Sequence, residues 1–367
     1  LSLRRQRQMC IRDRIIIYYP EKEVVISADN YYMRFPNLYT IRGTSYRDSK
    51  SWYKSVDAMR SYQPQYLISC HGPFLSGKEV IEQRLSIYRD AIQFIHDYAV
   101  RGANAGKTPD ELVEEFEYPA FFLENYDLQE KYGKVSWSIR NVYYGYLGFF
   151  DGRAVNLEPL SDKIRAQYIY ELIGSKDRLI EEINKANDLA KYQWAAELSD
   201  IGLFNFPNDK EIKKLYSLSL ENLSLAEKNP IARNYYLSEA YELSEKISPS
   251  LEYTVSAEQV KNIPLGTFFE AMGPRLDPVK ARNKFIRVGF NITDSDEKFG
   301  VVIRNQVAEI SNFYKNDYDV IVSVDSNTWK GIILRTESAA RAIASGKLKI
   351  DGESLMFLQF SSLFVND

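Results

Sequence analysis

An acidic residue and a histidine, each standing where a short apolar run gives way to a loop, carry the strongest chemical signal in this sequence. Asp29 ends Val24-Val-Ile-Ser-Ala-Asp29, and His71 ends Tyr66-Leu-Ile-Ser-Cys-His71. Loops at strand ends are where layered α/β folds present metal ligands. A carboxylate and a neutral imidazole are both metal donors, and the two residues look like half of a two-metal site. Each also has a plain structural reading, the aspartate as a turn residue and the histidine as a hydrogen-bonded member of the fold.

Four further residues bear on chemistry. Arg42 follows Asp29 by thirteen positions, and a planar guanidinium offers paired donors to a tetrahedral oxyanion. The competing reading is an ion pair with Asp48 that orders the loop. Tyr146 lies among Tyr143, Tyr144 and Phe149, where an aromatic cluster is the default. His96, beside Phe94 and Ile95 on a helix, reads as structural. Cys70 adjoins His71, but adjacent strand residues face opposite ways, which argues against a thiol–imidazole dyad.

The elements that must position these residues fall into three compositional regions. From 15 to 75 the pattern is a strand over Ile15–Tyr19, a Pro20-Glu-Lys turn, a strand over Val24–Ser27, a helix over Asp48–Tyr62 and a strand over Gln65–Ser69. Alternating β and α elements predict a layered α/β unit, and about sixty residues amount to a remnant of one. From 76 to 247 apolar residues recur at helical spacing, with Thr108-Pro-Asp-Glu111 forming a capping box. Helices are expected over Glu79–Val100, Ile164–Ile173, Asp177–Leu189, Trp194–Leu203, Asp209–Leu225 and Ala232–Ile247. Such hairpins cannot bury their apolar faces alone, so packing on neighbours or on a second subunit is expected. From 248 to 367 strands at Phe285–Ile292, Phe299–Arg304, Val307–Ile310 and Val320–Val324 combine with helices before Pro274 and over Glu337–Ser345 to predict an α+β domain.

Residues 1–14 stand apart. They lack hydrophobic period and turn chemistry, and Met9 to Arg14 reads like a translated frame of a transposase adaptor used in sequencing libraries. They are expected to be adaptor-derived and non-biological. They hold five Arg and one Asp, so the remainder has 42 basic against 49 acidic side chains and a formal charge of −7 in place of −3. That balance disfavours a nucleic-acid partner. Cys70 is then the only thiol, so no intrachain disulfide can form. No apolar stretch approaches the ~20 residues of a membrane span, and the sequence leaves localisation open.

A resemblance joins these pieces. Ser27-Ala-Asp-Asn-Tyr, Phe35-Pro-Asn-Leu-Tyr-Thr-Ile-Arg-Gly-Thr44, Tyr66-Leu-Ile-Ser-Cys-His-Gly-Pro73, Tyr132-Gly-Lys-Val-Ser-Trp-Ser-Ile-Arg140 and Gly145-Tyr-Leu-Gly-Phe-Phe-Asp-Gly152 resemble the alkyl sulfatases of the metallo-β-lactamase superfamily. The resemblance covers essentially everything after Arg14. It implies a multidomain fold: the remnant of an α/β metallo-β-lactamase sandwich (15–75), an all-α helical-hairpin dimerisation domain (76–247) and an α+β sterol-carrier-like domain (248–367). It further implies two zinc ions, with Asp29 as the bridging carboxylate and His71 as the last histidine ligand of the second zinc. Arg42 falls at the sulfate-contacting arginine and Tyr146 at a second substrate-facing position. The reaction implied is hydrolysis of alkyl sulfate esters such as dodecyl sulfate by a homodimer. The family's H-x-H-x-D-H cluster is missing, because His71 and His96 are the only histidines, so the chain is expected to be N-terminally truncated and inactive alone. Two other readings stay open: a non-catalytic dimerisation and lipid-binding module, and a metallo-β-lactamase-type hydrolase of another ester. Phe268, Phe269, Met272, Trp329 and Leu334 are candidates for an apolar groove in the last domain.

Overall fold

The computed structural model describes residues 8–10, 14–248, 262–311, 318–333 and 336–364. The chain divides into two compact units, Leu1–Pro249 and Ser250–Asp367.

In the first unit five strands, β1 (Gln8–Cys10), β2 (Arg14–Tyr19), β3 (Val24–Ala28), β4 (Tyr66–Ser69) and β5 (Leu75–Ser76), form a sheet in that order. Within the segment set aside as adaptor-derived, residues 1–7 and 11–13 lie outside the described residues, while Gln8–Cys10 pairs antiparallel with β2. The pair that matters for chemistry is β3 and β4, which run parallel with Val24 opposite Tyr66 and Val25 opposite Leu67. Parallel neighbours need a crossover, and here it contains α1 (Ser49–Ser61). Asp48 starts that helix by accepting from the Lys50 amide at 3.0 Å. The buried face of α1, formed by Trp52, Tyr53, Val56 and Met59, packs in one core with Ile81, Leu85, Tyr88, Ile92 and Ile95 of α2 (Lys78–Asn104). Spacings of three and four place these residues on single faces.

That core continues through α3 (Pro109–Glu114), α4 (Ala120–Glu124) and α5 (Val135–Leu147), reaching from Ile16 to Tyr143. The compositional change near residue 75 therefore lies inside one apolar cluster. Both hydrogen bonds of the Thr108/Glu111 capping box are present at the start of α3. Beyond it lie α6 (Asp162–Ile173), α7 (Lys176–Asp188), α8 (Tyr192–Asn205), α9 (Lys210–Ala226) and α10 (Pro230–Leu243). Their shared cores are small, one around Leu179, Ile183, Leu198 and Leu215 and another around Ala196, Leu220 and Ala240. Many large apolar side chains are left on the surface, among them Tyr168, Leu172, Trp194, Leu225 and Tyr235.

Asn229 ties this array to the rest of the unit. It caps α10 through its side-chain oxygen, while its amide donates to the carbonyls of Glu130, Tyr132 and Gly133. Lys134 and Glu227 pair beside it.

The second unit is α+β. Strands β6 (Ile286–Ile292), β7 (Lys298–Arg304), β8 (Val307–Ser311), β9 (Val320–Val324) and β10 (Leu348–Gly352) form a sheet of order β10-β9-β6-β7-β8, parallel between β6 and β9. Around it stand α11 (Leu265–Glu270), α12 (Ser326–Ile333), α13 (Ala339–Ala344) and α14 (Ser354–Ser362). The groove candidates Phe268, Phe269, Met272 and Trp329 are all buried in this unit's core with Phe290, Phe357 and Phe360. Phe269 stacks on Phe299 with ring centroids 4.2 Å apart. The structure thus shows these four packed in the core, as amphipathic packing alone would place them; Leu334 lies outside the described residues.

Candidate active site

Asp29 and His71 meet. Their segments leave the ends of adjacent parallel strands, and Asp29 Oδ1 lies 3.3 Å from His71 Nε2. The local backbone is built for this approach. The β3–β4 register slips between Ile26 and Ala28, and Ala28 adopts a φ of +47°, a left-handed conformation that is uncommon for a non-glycine residue. A bulge of this kind re-aims the residues that follow it. Just beyond Asp29, buried Asn30 locks the turn: its amide donates to the Ser27 carbonyl at 2.8 Å, its side-chain oxygen accepts from Ser55, and its carbonyl accepts from the Trp52 indole. On the facing strand the Cys70 amide donates to the Ala28 carbonyl at 3.4 Å, and Ser69 donates to the His71 carbonyl. Cys70 and His71 lie in the bend past β4, so strand alternation does not govern them.

Both side chains face solvent, at 59 % exposure for Asp29 and 72 % for His71. An exposed pair of this kind is worth at most about 1 kcal/mol. A carboxylate oxygen and an imidazole nitrogen converging on one point suit zinc in type. In number they fall short, because zinc sites take three or more protein ligands. Among the described residues no third His, Cys, Asp or Glu completes a metal-holding group.

Beside His71 opens a cleft of about 540 Å³ lined by Tyr32, Met33, Arg34, Pro73, Tyr126 and Tyr132. The Arg34 guanidinium lies 4.5 Å above the Tyr126 ring and donates to its hydroxyl at 2.7 Å. Sequence reasoning missed Arg34 and Tyr126; the one available signal was the Tyr-Tyr-Met-Arg run directly after Asn30. The loop carrying these residues is pinned by residues 129–133. The Phe35 amide donates to Gln129, and the Gly133 amide donates back to Phe35. A Cβ at Gly133 would sit 2.0 Å from the Pro36 carbonyl oxygen, so only glycine permits this approach.

Arg42 is exposed, in a turn closed by the Gly43 amide donating to Thr40. Among the described residues it has no hydrogen-bond or ion-pair partner, and Asp48 serves α1 as its cap. The loop-ordering ion pair considered for Arg42 is therefore not what the structure holds.

Tyr146, half-exposed on α5, engages His96. Its hydroxyl lies 2.8 Å from His96 Nε2, and His96 Nδ1 lies 2.8 Å from Asp97 Oδ1. Gln93 also donates to Asp97. Partial burial acts to raise the Asp97 carboxyl, but the hydrogen bonds from His96 and Gln93 outweigh it and hold the group below the ordinary value. Burial, then Asp48 and Asp97, push the Tyr146 phenol above its ordinary value. The neighbouring Tyr46 ring occupies the space a Cβ at Gly145 would need, and burial pushes its phenol up to about 12 with help from Asp48 and Tyr146.

Comparison with known proteins bears directly on this arrangement. Residues 108–246 match the family model described as alkyl sulfatase dimerisation, and residues 253–366 match alkyl sulfatase C-terminal. A linear primary-alkylsulfatase from Pseudomonas is 33 % identical over 364 residues, spanning 96 % of this chain and 69 % of that protein. The chain belongs to the alkyl sulfatase family. An alkyl/aryl-sulfatase from Saccharomyces cerevisiae is 26 % identical over 95 % of this chain, which spans 54 % of that relative's length. The solved structure of Pisa1, a stereoselective inverting sec-alkylsulfatase from Pseudomonas, matches with a TM-score of 0.91 at 26 % identity, covering 100 % of this chain and 61 % of Pisa1. Against most of these relatives the chain spans between half and two thirds of the family's length.

Proposed function

We propose that this chain carries part of the site for zinc-dependent hydrolysis of alkyl sulfate esters to alcohol and sulfate, within a metallo-β-lactamase-type α/β unit. The observation that carries the reading is the convergence of Asp29 and His71 at the ends of parallel strands. In this reading Asp29 and His71 would both be zinc donors, the aspartate through its carboxylate and the histidine through its imidazole nitrogen. When bound, zinc supplies a water of lowered pKa, near 7, as nucleophile. The unpaired Arg42 guanidinium receives the sulfate oxygens, Tyr146 contacts the same anion, and the apolar cleft beside His71 takes the first carbons of the alkyl chain. With only these two donors among the described residues, the chain alone would hold zinc weakly and not turn over substrate.

Octyl sulfate binding, followed by calorimetry, tests this reading. Binding that is lost in Arg42→Ala and insensitive to the apolar-core variant Phe269→Leu supports it. An absence of binding, or binding indifferent to Arg42, overturns it. The alternative, a non-catalytic dimerisation and lipid-binding module, draws on the exposed aromatic side chains of α6 to α10 and predicts binding of uncharged alkyl chains as tight as that of the sulfate.

A further inference from the structure

The Asp97–His96–Tyr146 chain of hydrogen bonds fixes proton positions. A carboxylate only accepts, so His96 Nδ1 must carry the hydrogen that points to Asp97. In the neutral ring Nε2 is then bare, and the Tyr146 hydroxyl at 2.8 Å must donate to it. The phenol oxygen is left with lone pairs alone for whatever approaches from solvent, a poor greeting for an anion. Adding a proton at Nε2 reverses the bond: the imidazolium donates to the phenol oxygen, and the phenolic hydrogen turns outward. Asp97 accepts from Nδ1 in either state, and His96 is only 8 % exposed, so water does not substitute for either partner.

We propose that His96 is a positioning residue that makes oxyanion binding at Tyr146 proton-linked, each sulfate or sulfate ester docking there with uptake of one proton at His96 Nε2. This rests on the alkyl-sulfate reading of the site, from which it takes the anion. The proton comes from solvent and returns there on release, so nothing else is consumed. The other titratable or charged groups facing the pair are few. Asp97 and Arg101 lie on α2; Tyr53 of α1 meets His96 edge-on with ring centroids 6.0 Å apart, and the Arg89 guanidinium lies 5.3 Å from the Tyr53 ring centroid; Asp48 and Tyr46 approach Tyr146.

Calorimetry of octyl sulfate binding to the whole chain, in buffers of different ionisation enthalpy, counts the protons directly. At a pH where ¹⁵N shifts of the imidazole show free His96 neutral, uptake of about one proton per anion is expected, with affinity falling about tenfold per pH unit. The same spectra should show Nε2 of His96 become protonated on binding; His71→Ala assigns the resonances. In His96→Gln, whose amide can donate to Tyr146 without titrating, binding should persist with no proton uptake. A merely structural histidine would move neither readout. Binding that needs Arg42 yet takes up no proton overturns this proposal and leaves the alkyl-sulfate reading standing. No binding at all overturns both.

Discussion

At the residue scale, the sequence exposed what sits at the end of a regular element and concealed what depends on contacts across the chain. Asp29 and His71 were legible because each follows an apolar run, and parallel strands bring such ends together. Arg34, Tyr126 and Tyr132 were not, since the Arg34–Tyr126 contact joins positions 92 apart. The pairing of His96 with Tyr146 spans 50 positions and was equally hidden. Two predictions belong here. Arg42→Ala should weaken octyl sulfate binding about 10- to 100-fold, the loss of charge-assisted hydrogen bonds. Because Arg42 has no hydrogen-bond or ion-pair partner among the described residues, the urea midpoint and metal affinity should not change; a shift in either by calorimetry or denaturation would give the arginine a structural role. The second concerns alkaline pH. Burial holds the Tyr31, Tyr32 and Tyr118 phenols well above the ordinary value and Tyr46 at about 12. A phenol whose ionisation the fold suppresses contributes stability fully below its unfolded value, about 10, and loses it as pH rises through the folded value. Stability should therefore fall from about pH 10 to 12, with phenolate absorbance appearing late and together with loss of circular dichroism. Ionisation of every tyrosine near 10 with the fold intact would contradict this.

At the scale of elements, helices with strong caps and amphipathic spacing matched the expected positions closely: α1 spans Ser49–Ser61 behind Asp48, and α9 spans Lys210–Ala226 behind Asp209. Three elements of the second unit were missed for physical reasons. α12 (Ser326–Ile333) contains Thr and Gly, β10 (Leu348–Gly352) alternates with Lys and Asp, and α14 (Ser354–Ser362) crowds four of its five apolar residues into the consecutive run Leu355–Leu358, which spreads them around the helix and shows no single face. The site itself depends on an element contact that no pattern reveals, the approach of residue 133 to residue 36. Gly133→Ala should cost about 1–3 kcal/mol, as overpacking against backbone does, and should loosen the loop that leads from Asp29 to Arg42. The urea midpoint and octyl sulfate affinity are expected to fall together; an unchanged midpoint would show that the loop is held elsewhere.

For the whole molecule, membership of the alkyl sulfatase family and the apolar surface of α6 to α10 point the same way. Tyr168, Leu172, Trp194, Leu225 and Tyr235 stand exposed on these helices, within the stretch that matches the dimerisation model, and clusters of this kind mark interfaces. The expectation is a homodimer, twice the chain mass of 42.6 kDa, by light scattering of the intact chain. Deleting residues before Ser76 would be a poor test, because the core that includes Val25 and Trp52 also includes Tyr88 and Val142. A monomer mass across micromolar concentrations would remove the dimer.

If Asp29 and His71 are a metal-donor pair, zinc titration of the purified chain reads it out. Isothermal calorimetry on the parent chain, Asp29→Asn and His71→Ala should show weak, substoichiometric binding in the parent and none in either variant, with all three folded by circular dichroism. Two tightly held zinc ions per chain, or binding that survives both substitutions, would contradict the account.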